Sequence, residues 1–529
     1  MKRRDFLKSA TAAAAGSVLP AAPAVWSPAK AQSRQETLLI VSESGPNNID
    51  IHGIGTNVPG YETSWNCYDR LITHEMKTGE NGAPYYDRDK FKPELAEDMN
   101  VGDMSVTFKL KKNATFHDGT PVTAKDVKWS LDRAVTVGGF PTFQMKAGSL
   151  EKPEQFVVVD DHTVRVDFLR KDRLTVPDLA VIVPCVVNSE LVKKNATDKD
   201  PWGLEYTKQN TAGSGAYRVA KWTAGTEVIY ERNDKWAGGP LPKVKRVIWR
   251  MVPSAGNRRA LLERGDADIS YDLPNKDFAE LKNVGKLSIV STPYSNGIQY
   301  IGMNVKTPPF DNLKVREAIA CALPYQKIMD AVMFGLAKPM FGAPADAATT
   351  DAWPQPHKYV TDIAKAKQLL AEAGYPNGFS VPLYAYRDRR YSEAVVGYLR
   401  KIGITADLRF LQWTALRPIV QQDGKAEMAQ LTWGSQGILD ASASVGNYFE
   451  GSPDDYARDA EVEAWLKAAD STVDASQRKA LYGKALKKIA DQAYFVPIFL
   501  YGRPYVFNSE LDYPVTPDEL AHFYMAKWK

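Results

Sequence analysis

The chain has 529 residues, and 67 Lys and Arg against 63 Asp and Glu leave a formal net charge of +4. Five of those basic side chains and one acid fall within residues 1–31, so the rest is formally neutral, which argues against electrostatic capture of nucleic acid or anionic lipid. At 44% hydrophobic and 25% charged residues the composition is globular, and the chain is too long for one core, so two or three lobes are expected.

The first segment reads as an address. Arg3 and Arg4 precede Asp5, Phe6, Leu7 and Lys8, an Ala-rich apolar stretch runs from Ala10 to Val25, and Ala29-Lys30-Ala31 closes it as a small-x-small cleavage site. This is the layout of a twin-arginine export signal, which puts a mature chain starting near Gln32 in the periplasm. Pro20, Pro23 and Pro28 would break a helical anchor there, and no later run of 18 apolar residues offers a membrane span.

Alternating segments follow. Residues 106–110 and 164–168 each place apolar side chains on one face, as half-buried strands do. Between them Asp118-Gly119 predicts a turn with His117 as its flanking hydrogen-bonder, and Thr123 has N-cap spacing for a helix carrying Val127, Leu131 and Ala134. Residues 217–219, 228–231 and 244–251 read as strands; a helix with Ala260, Leu261 and Leu262 should stop at Gly265, and a strand should begin at Asp268. From about Tyr300 helices alternate with strands, which suggests an open α/β lobe. Helices are expected over 313–323, over 363–373 with Thr361 as cap and Gly374 as stop, and over 391–402 before Gly403. A strand over 405–410 follows that last glycine.

Signatures of catalysis are sparse. Cys67, Cys185 and Cys321 lie far apart without a CxxC, and the six histidines form no HExxH or HxH pair. One cysteine pair could close a disulfide in an oxidising compartment, and three separate buried thiols fit as well. There is no GxSxG elbow, no GxxxxGK[ST] loop and no GxGxxG after a strand. A twin-arginine-exported redox or metal enzyme would need a denser Cys/His cluster, so no catalytic residue, metal or cofactor is expected.

Several blocks together carry a family likeness. They are Pro93 to Glu97, Phe116 to Val127, Gly213 to Tyr217, Arg232 to Trp236, Gly265 to Ile269, Asn304, Val315 to Ile319, and Ala366 to Pro376. In this order and spacing the chain resembles the family 5 extracellular solute-binding proteins, the dipeptide/oligopeptide/nickel-binding components of ABC importers. The resemblance implies an α/β fold of two lobes, the type II-like, cluster C periplasmic binding protein, with an extra subdomain inserted in lobe I. Lobe I would comprise 32–75, 210–295 and 497–529, the insertion 76–209, and lobe II 296–496. It also implies a monomer that traps a peptide or other small polar solute between the lobes and docks on permease subunits, with no covalent chemistry. A ligand-presenting sensor on the same fold is the related alternative.

The resemblance carries a site with it. Peptide-binding members hold the ligand ammonium with a lobe II acid a few residues after a Trp, and the carboxylate with an upstream arginine. Here Trp433 leads to Gln436 where that acid commonly stands, and Asp440 is displaced. A neutral Gln suits a hydroxyl or amide better than a lone ammonium. Arg389 is the first choice for the carboxylate fork and Arg387 the second. Tyr294, Asn296 and Asn304, near the crossover between lobes, complete the candidate ligand residues. Peptides are the default that the resemblance implies, and opines, glycosides and other polar metabolites are compatible with this set.

Overall fold

The computed structural model describes residues 34–78, 84–292, 297–343, 356–386, 389–421, 426–434, 441–472, 474–516 and 518–529. The export segment and the Ala31 cleavage site lie outside them. Two large sheets organise the described chain. The first has seven strands in the order Leu287–Ser291, Pro504–Asn508, Ile269–Ser270, Thr37–Ser42, Arg246–Met251, Glu227–Arg232 and Tyr217–Thr223. Thr37–Ser42 runs parallel to Arg246–Met251 at its centre. The second has six, in the order Ala337–Pro339, Phe495–Tyr501, Gly297–Met303, Met428–Gly434, Ser380–Ala385 and Thr405–Phe410. Every residue of Gly297–Met303 is buried, as expected of a strand covered on both faces.

Between the strands of the first sheet, the chain builds a separate four-stranded antiparallel sheet from Ala96–Val101, Ser105–Leu110, Thr163–Asp167 and Phe156–Asp160. The helix Ala124–Thr136 packs on it through Val127, Leu131 and Ala134, the stripe expected from sequence. Thr123 starts that helix by donating its backbone N–H and its hydroxyl to Asp126 Oδ2, at 3.0 and 2.7 Å. His117 tethers the preceding turn, with Nε2 3.0 Å from Gly215 O.

The helix Ile363–Glu372 corrects one reading. Its cap is Asp362, which accepts from Lys365 N at 2.8 Å, whereas Thr361 donates its hydroxyl to Leu323 O. A carboxylate answers the partial positive charge of a helix N-terminus better than a hydroxyl, and the threonine is taken by the neighbouring turn. Gly265, Gly374 and Gly403 end their helices with φ of +81°, +90° and +88°, a region open to glycine at no steric cost. All three cysteines are buried free thiols, and burial pushes Cys185 up to about 12 and Cys321 up to about 11.

A buried ion pair locks the insertion to the loop that follows Thr37–Ser42. Arg133 donates to Asp50 Oδ2 at 2.7 Å, and the Thr207 hydroxyl donates to the same oxygen at 2.5 Å. Burial disfavours the Asp50 charge, yet Arg133 and the hydrogen bonds outweigh it and hold the carboxyl down to about 2.

The chain crosses between the two sheets twice. It leaves the first after Ser291 and returns at Gly502, because the whole strand Phe495–Tyr501 belongs to the second. The two crossings pair with each other: Thr292 N donates to Arg503 O at 3.0 Å, and Arg503 N donates to Thr292 Oγ1 at 2.7 Å. A Cβ on Gly502 would stand 2.0 Å from Thr292 O, so only glycine lets the crossings lie this close.

His357 stands under the second sheet with Nε2 2.7 Å from Pro497 O, while its Nδ1 accepts from Tyr359 N. Burial pushes its pKa down to about 4. The unfolded imidazole takes a proton near pH 6.5 and the folded one only near pH 4. Wild-type stability relative to His357→Gln should therefore fall by about 3 kcal/mol as pH drops through that window, and stay constant above it. Urea denaturation of both proteins at pH 7.5, 5.5 and 4.5 checks this.

Candidate ligand-binding cleft

Ser380–Ala385 and Met428–Gly434 are parallel neighbours that point the same way, with Ala385 opposite Gln430 and the second strand running on to Gly434. Such strand ends are where open α/β sheets take ligands. The Tyr386 hydroxyl donates to Thr432 O at 3.1 Å, and the Thr432 hydroxyl donates to Gln299 Oε1 at 2.7 Å, which ties the strands together at this edge. Gly297 lies opposite both Gly434 and Tyr501. The strand ends that lead into 293–296 and 435–440 thus stand together beside the paired crossings, and the end that leads into 387–388 is set back on the same edge.

The expected ligand residues divide between these ends and elsewhere. Trp433 sits in the terminal pairs of its strand, opposite Ile298. Tyr294, Asn296, Arg387, Gln436 and Asp440 lie outside the described residues. Arg389 opens the exposed end of the helix Arg389–Arg400, 3.8 Å from Glu393 and 4.8 Å from the centre of the Phe410 ring. Asn304 follows the far end of Gly297–Met303, where its side chain accepts from Lys306 N at 3.1 Å and its backbone N–H donates to Glu427 O. Seven residues of strand, ~23 Å, separate it from the hinge edge.

The facing wall comes from the first sheet and the insertion. After Thr37–Ser42 the chain enters a loop in which Asn47 and Asn57 exchange backbone-to-side-chain hydrogen bonds of 3.2 and 3.0 Å. Asn57 then caps the helix Val58–Cys67 by accepting from Gly60 N, with Pro59 preorganising the first turn. On that helix Tyr61 stacks on Phe140 at 5.2 Å, and Ile54 packs over Gly139. Burial pushes the Tyr61 hydroxyl up to about 12, against the pull of the Arg417 guanidinium from the second lobe. Sequence reasoning missed this wall, because aromatic residues in short helices carry no signal of which cleft they face.

One residue further along the same helix, Glu62 is fully buried and accepts from Arg503 Nη1 at 2.6 Å. Arg503 also donates to Glu519 O at 2.8 Å and lies 4.1 Å from the centre of the Tyr271 ring. The cleft helix is thereby tied to the residue that follows the Gly502 crossing.

A cavity of about 250 Å3 opens between the insertion and the second lobe. Phe143, Lys146 and Arg173 line it from the insertion, and Ser442, Gly446 and Glu450 from the other side. The helix Ala441–Phe449 begins directly after Asp440, and Glu450 N continues its turn by donating to Gly446 O. The spacing 442, 446, 450 is a one-face helical stripe, and this signal was present in the sequence. Among the described residues no group of three His, Cys, Asp or Glu could hold a metal ion.

Two sheets joined by paired crossings, with a cleft and an inserted subdomain between them, define a two-lobed solute-binding protein. The model of "Bacterial extracellular solute-binding proteins, family 5 Middle" matches residues 90–456, and the chain belongs to this family. It is 28% identical over 489 residues to the "Probable D,D-dipeptide-binding periplasmic protein DdpA" of Escherichia coli K12, covering 90% of this chain and 91% of that one. It is 29% identical over 456 residues to the "Glutathione-binding protein GsiB" of Salmonella choleraesuis SC-B67, covering 82% and 85%. The solved structure of DppA from Helicobacter pylori in complex with the peptide STSA superposes with a TM-score of 0.77 at 20% identity, covering 93% of this chain and 98% of that one. The two-lobed family 5 fold is thus common to them.

Arg503→Met would leave the Glu62 carboxylate buried without its cation, so we expect a loss of about 3–5 kcal/mol of stability. Adding Glu62→Gln should recover part of that loss, since the orphaned charge goes with it. Urea midpoints of the three proteins measure both effects.

Proposed function

We propose that this protein is the periplasmic substrate-binding component of an ABC importer, which closes its lobes over a peptide or similar small polar solute and delivers it to permease subunits in the inner membrane. The observation that carries this reading is the pair of hydrogen-bonded crossings beside converging strand ends. Such a ribbon can bend while each sheet stays rigid, so ligand bound at the strand ends is enclosed by rotation of one lobe on the other. The printed names of DdpA and GsiB support a peptide-like ligand.

In this reading lobe I consists of 32–75, 210–295 and the chain from Gly502 onward; 76–209 is its inserted subdomain, and 296–501 is lobe II. The boundary at Gly502 follows the sheet membership of Phe495–Tyr501. Export by the twin-arginine route would be followed by cleavage near Ala31, and the mature protein works as a monomer without covalent chemistry. Gln436 and Asp440 would meet the ligand from the segment after Trp433, and Arg387 from the segment after Tyr386. Arg389, already occupied by Glu393 and Phe410, takes a lesser part.

The mature protein should bind di- or tripeptides with a Kd in the micromolar range or below, about −8 kcal/mol or stronger. At a hundredfold excess over Kd, ligand should add ~2.7 kcal/mol of stability by linkage. Arg387→Ala combined with Gln436→Ala should remove the ligand-induced rise in Tm. Native mass spectrometry of the protein as purified, followed by calorimetry with the peptide found, makes the measurement. A double variant that still responds in full places the site elsewhere.

A further inference from the structure

We propose that the apolar surface formed by Ile54, Tyr61, Phe140 and Phe143, together with Arg417 of the second lobe, is the subsite for the C-terminal residue of the peptide. It selects an apolar side chain standing beside a free carboxylate. This inference rests on the peptide reading above.

The apolar surface is continuous. Ile54 packs over Gly139, where an added Cβ would stand 3.6 Å from its side chain, and Tyr61 stacks on Phe140 at 5.2 Å. Phe143 follows Phe140 one turn along the helix Gly139–Ala147, on the same face. Ile54 is 64% exposed and Phe143 43%, while Tyr61 and Phe140 are half-buried. Large apolar side chains that meet water as a group mark a place where something apolar binds. Phe143 lines a cavity whose other side is Ser442 and Gly446, so this surface looks toward the second lobe. It is also stiff, because Asn57 caps the helix of Tyr61 and the Asp50–Arg133 pair fixes the insertion. A preorganised surface takes a side chain with little loss of its own freedom.

Arg417 supplies the polar contact. Its helix, Trp413–Val420, starts at the C-terminal edge of the second sheet, where Leu411 N donates to Ala385 O at 2.9 Å. Leu416 and Val420 are buried in the second lobe, and Arg417 lies on the exposed face of the helix. Its Nε donates to Gln421 Oε1 at 2.9 Å, and Gln421 Nε2 donates to Asp454 Oδ2 at 3.1 Å. The guanidinium is thus steadied through Nε, while both Nη groups find no partner among the described residues. Two such N–H groups side by side form the fork that a carboxylate fills with parallel bonds. Burial raises the Tyr61 hydroxyl and the Arg417 charge draws it back, as expected of a guanidinium across the cleft from the Tyr61–Phe140 stack. A carboxylate held by the fork carries its own side chain onto the apolar surface. An ammonium would be repelled by the arginine, and a polar side chain would gain nothing from the rings.

Titration calorimetry of the mature protein with Ala-Ala-Phe, its C-terminal amide and trialanine tests this. Ala-Ala-Phe should bind roughly tenfold tighter than its amide, the usual worth of hydrogen bonds to a charged group. It should bind about fivefold tighter than trialanine, through the added apolar contact. Arg417→Gln should bring the acid-to-amide ratio below about two and leave the preference for Phe in place. Ile54→Ser, at an exposed position, should cut the preference for Phe by about half or more and leave the acid-to-amide ratio in place. Absence of either preference, or its survival after its own substitution, overturns the subsite and leaves the peptide reading standing. A loss on Arg417→Gln that falls equally on acid and amide makes the arginine a contact between closed lobes, and overturns the subsite as well. Failure of all three peptides to bind overturns the peptide reading and the subsite together.

Discussion

The paired crossings at Thr292 and Arg503 are the constraint on which the architecture depends. Two sheets that bury their own faces have no need to stay together, and here the two chain crossings between them hydrogen-bond to each other at Thr292 and Arg503. Their close approach is possible because residue 502 has no side chain. Hydrogen bonds between the crossings hold the two links side by side, so the sheets are joined along one line. Arg503 ties that line to the first lobe through Glu62, on the helix that also carries Tyr61.

Around this line the cleft walls have different physical characters. The wall from the first lobe and the insertion is aromatic and preorganised: capped by Asn57, stiffened by the Asn47–Asn57 exchange, and stacked through Tyr61 and Phe140. The wall from the second lobe consists of strand ends, held in register by the Tyr386–Thr432–Gln299 chain of hydrogen bonds. The insertion does more than decorate the first lobe. The buried Asp50–Arg133 pair anchors it to the loop after the first strand, so its helix and its cations are carried as part of the same rigid wall.

Much of this was legible in the sequence where local physics decides. Val127, Leu131 and Ala134 announced their helix, the glycines at 265, 374 and 403 announced three helix ends, and the alternation over 405–410 announced a strand. The Asp362 cap was missed by one residue because Thr361 offers the same type of group, and the choice is made by Leu323, a partner distant in sequence. The candidate site was legible in part. Trp433 and the residues after it lead from a strand end at the hinge edge, whereas Asn304 lies at the opposite end of its strand and Arg389 is bound on its own helix.

By itself the sequence determined the class of fold and most of the elements, since periodicity and turn chemistry act over a few residues. Only the tertiary structure decided which strand ends meet, that the return crossing falls at Gly502, and that Phe143, Lys146 and Glu450 share one cavity. Those facts depend on contacts between residues hundreds of positions apart. No local pattern encodes which wall a helix will face once two lobes are brought together.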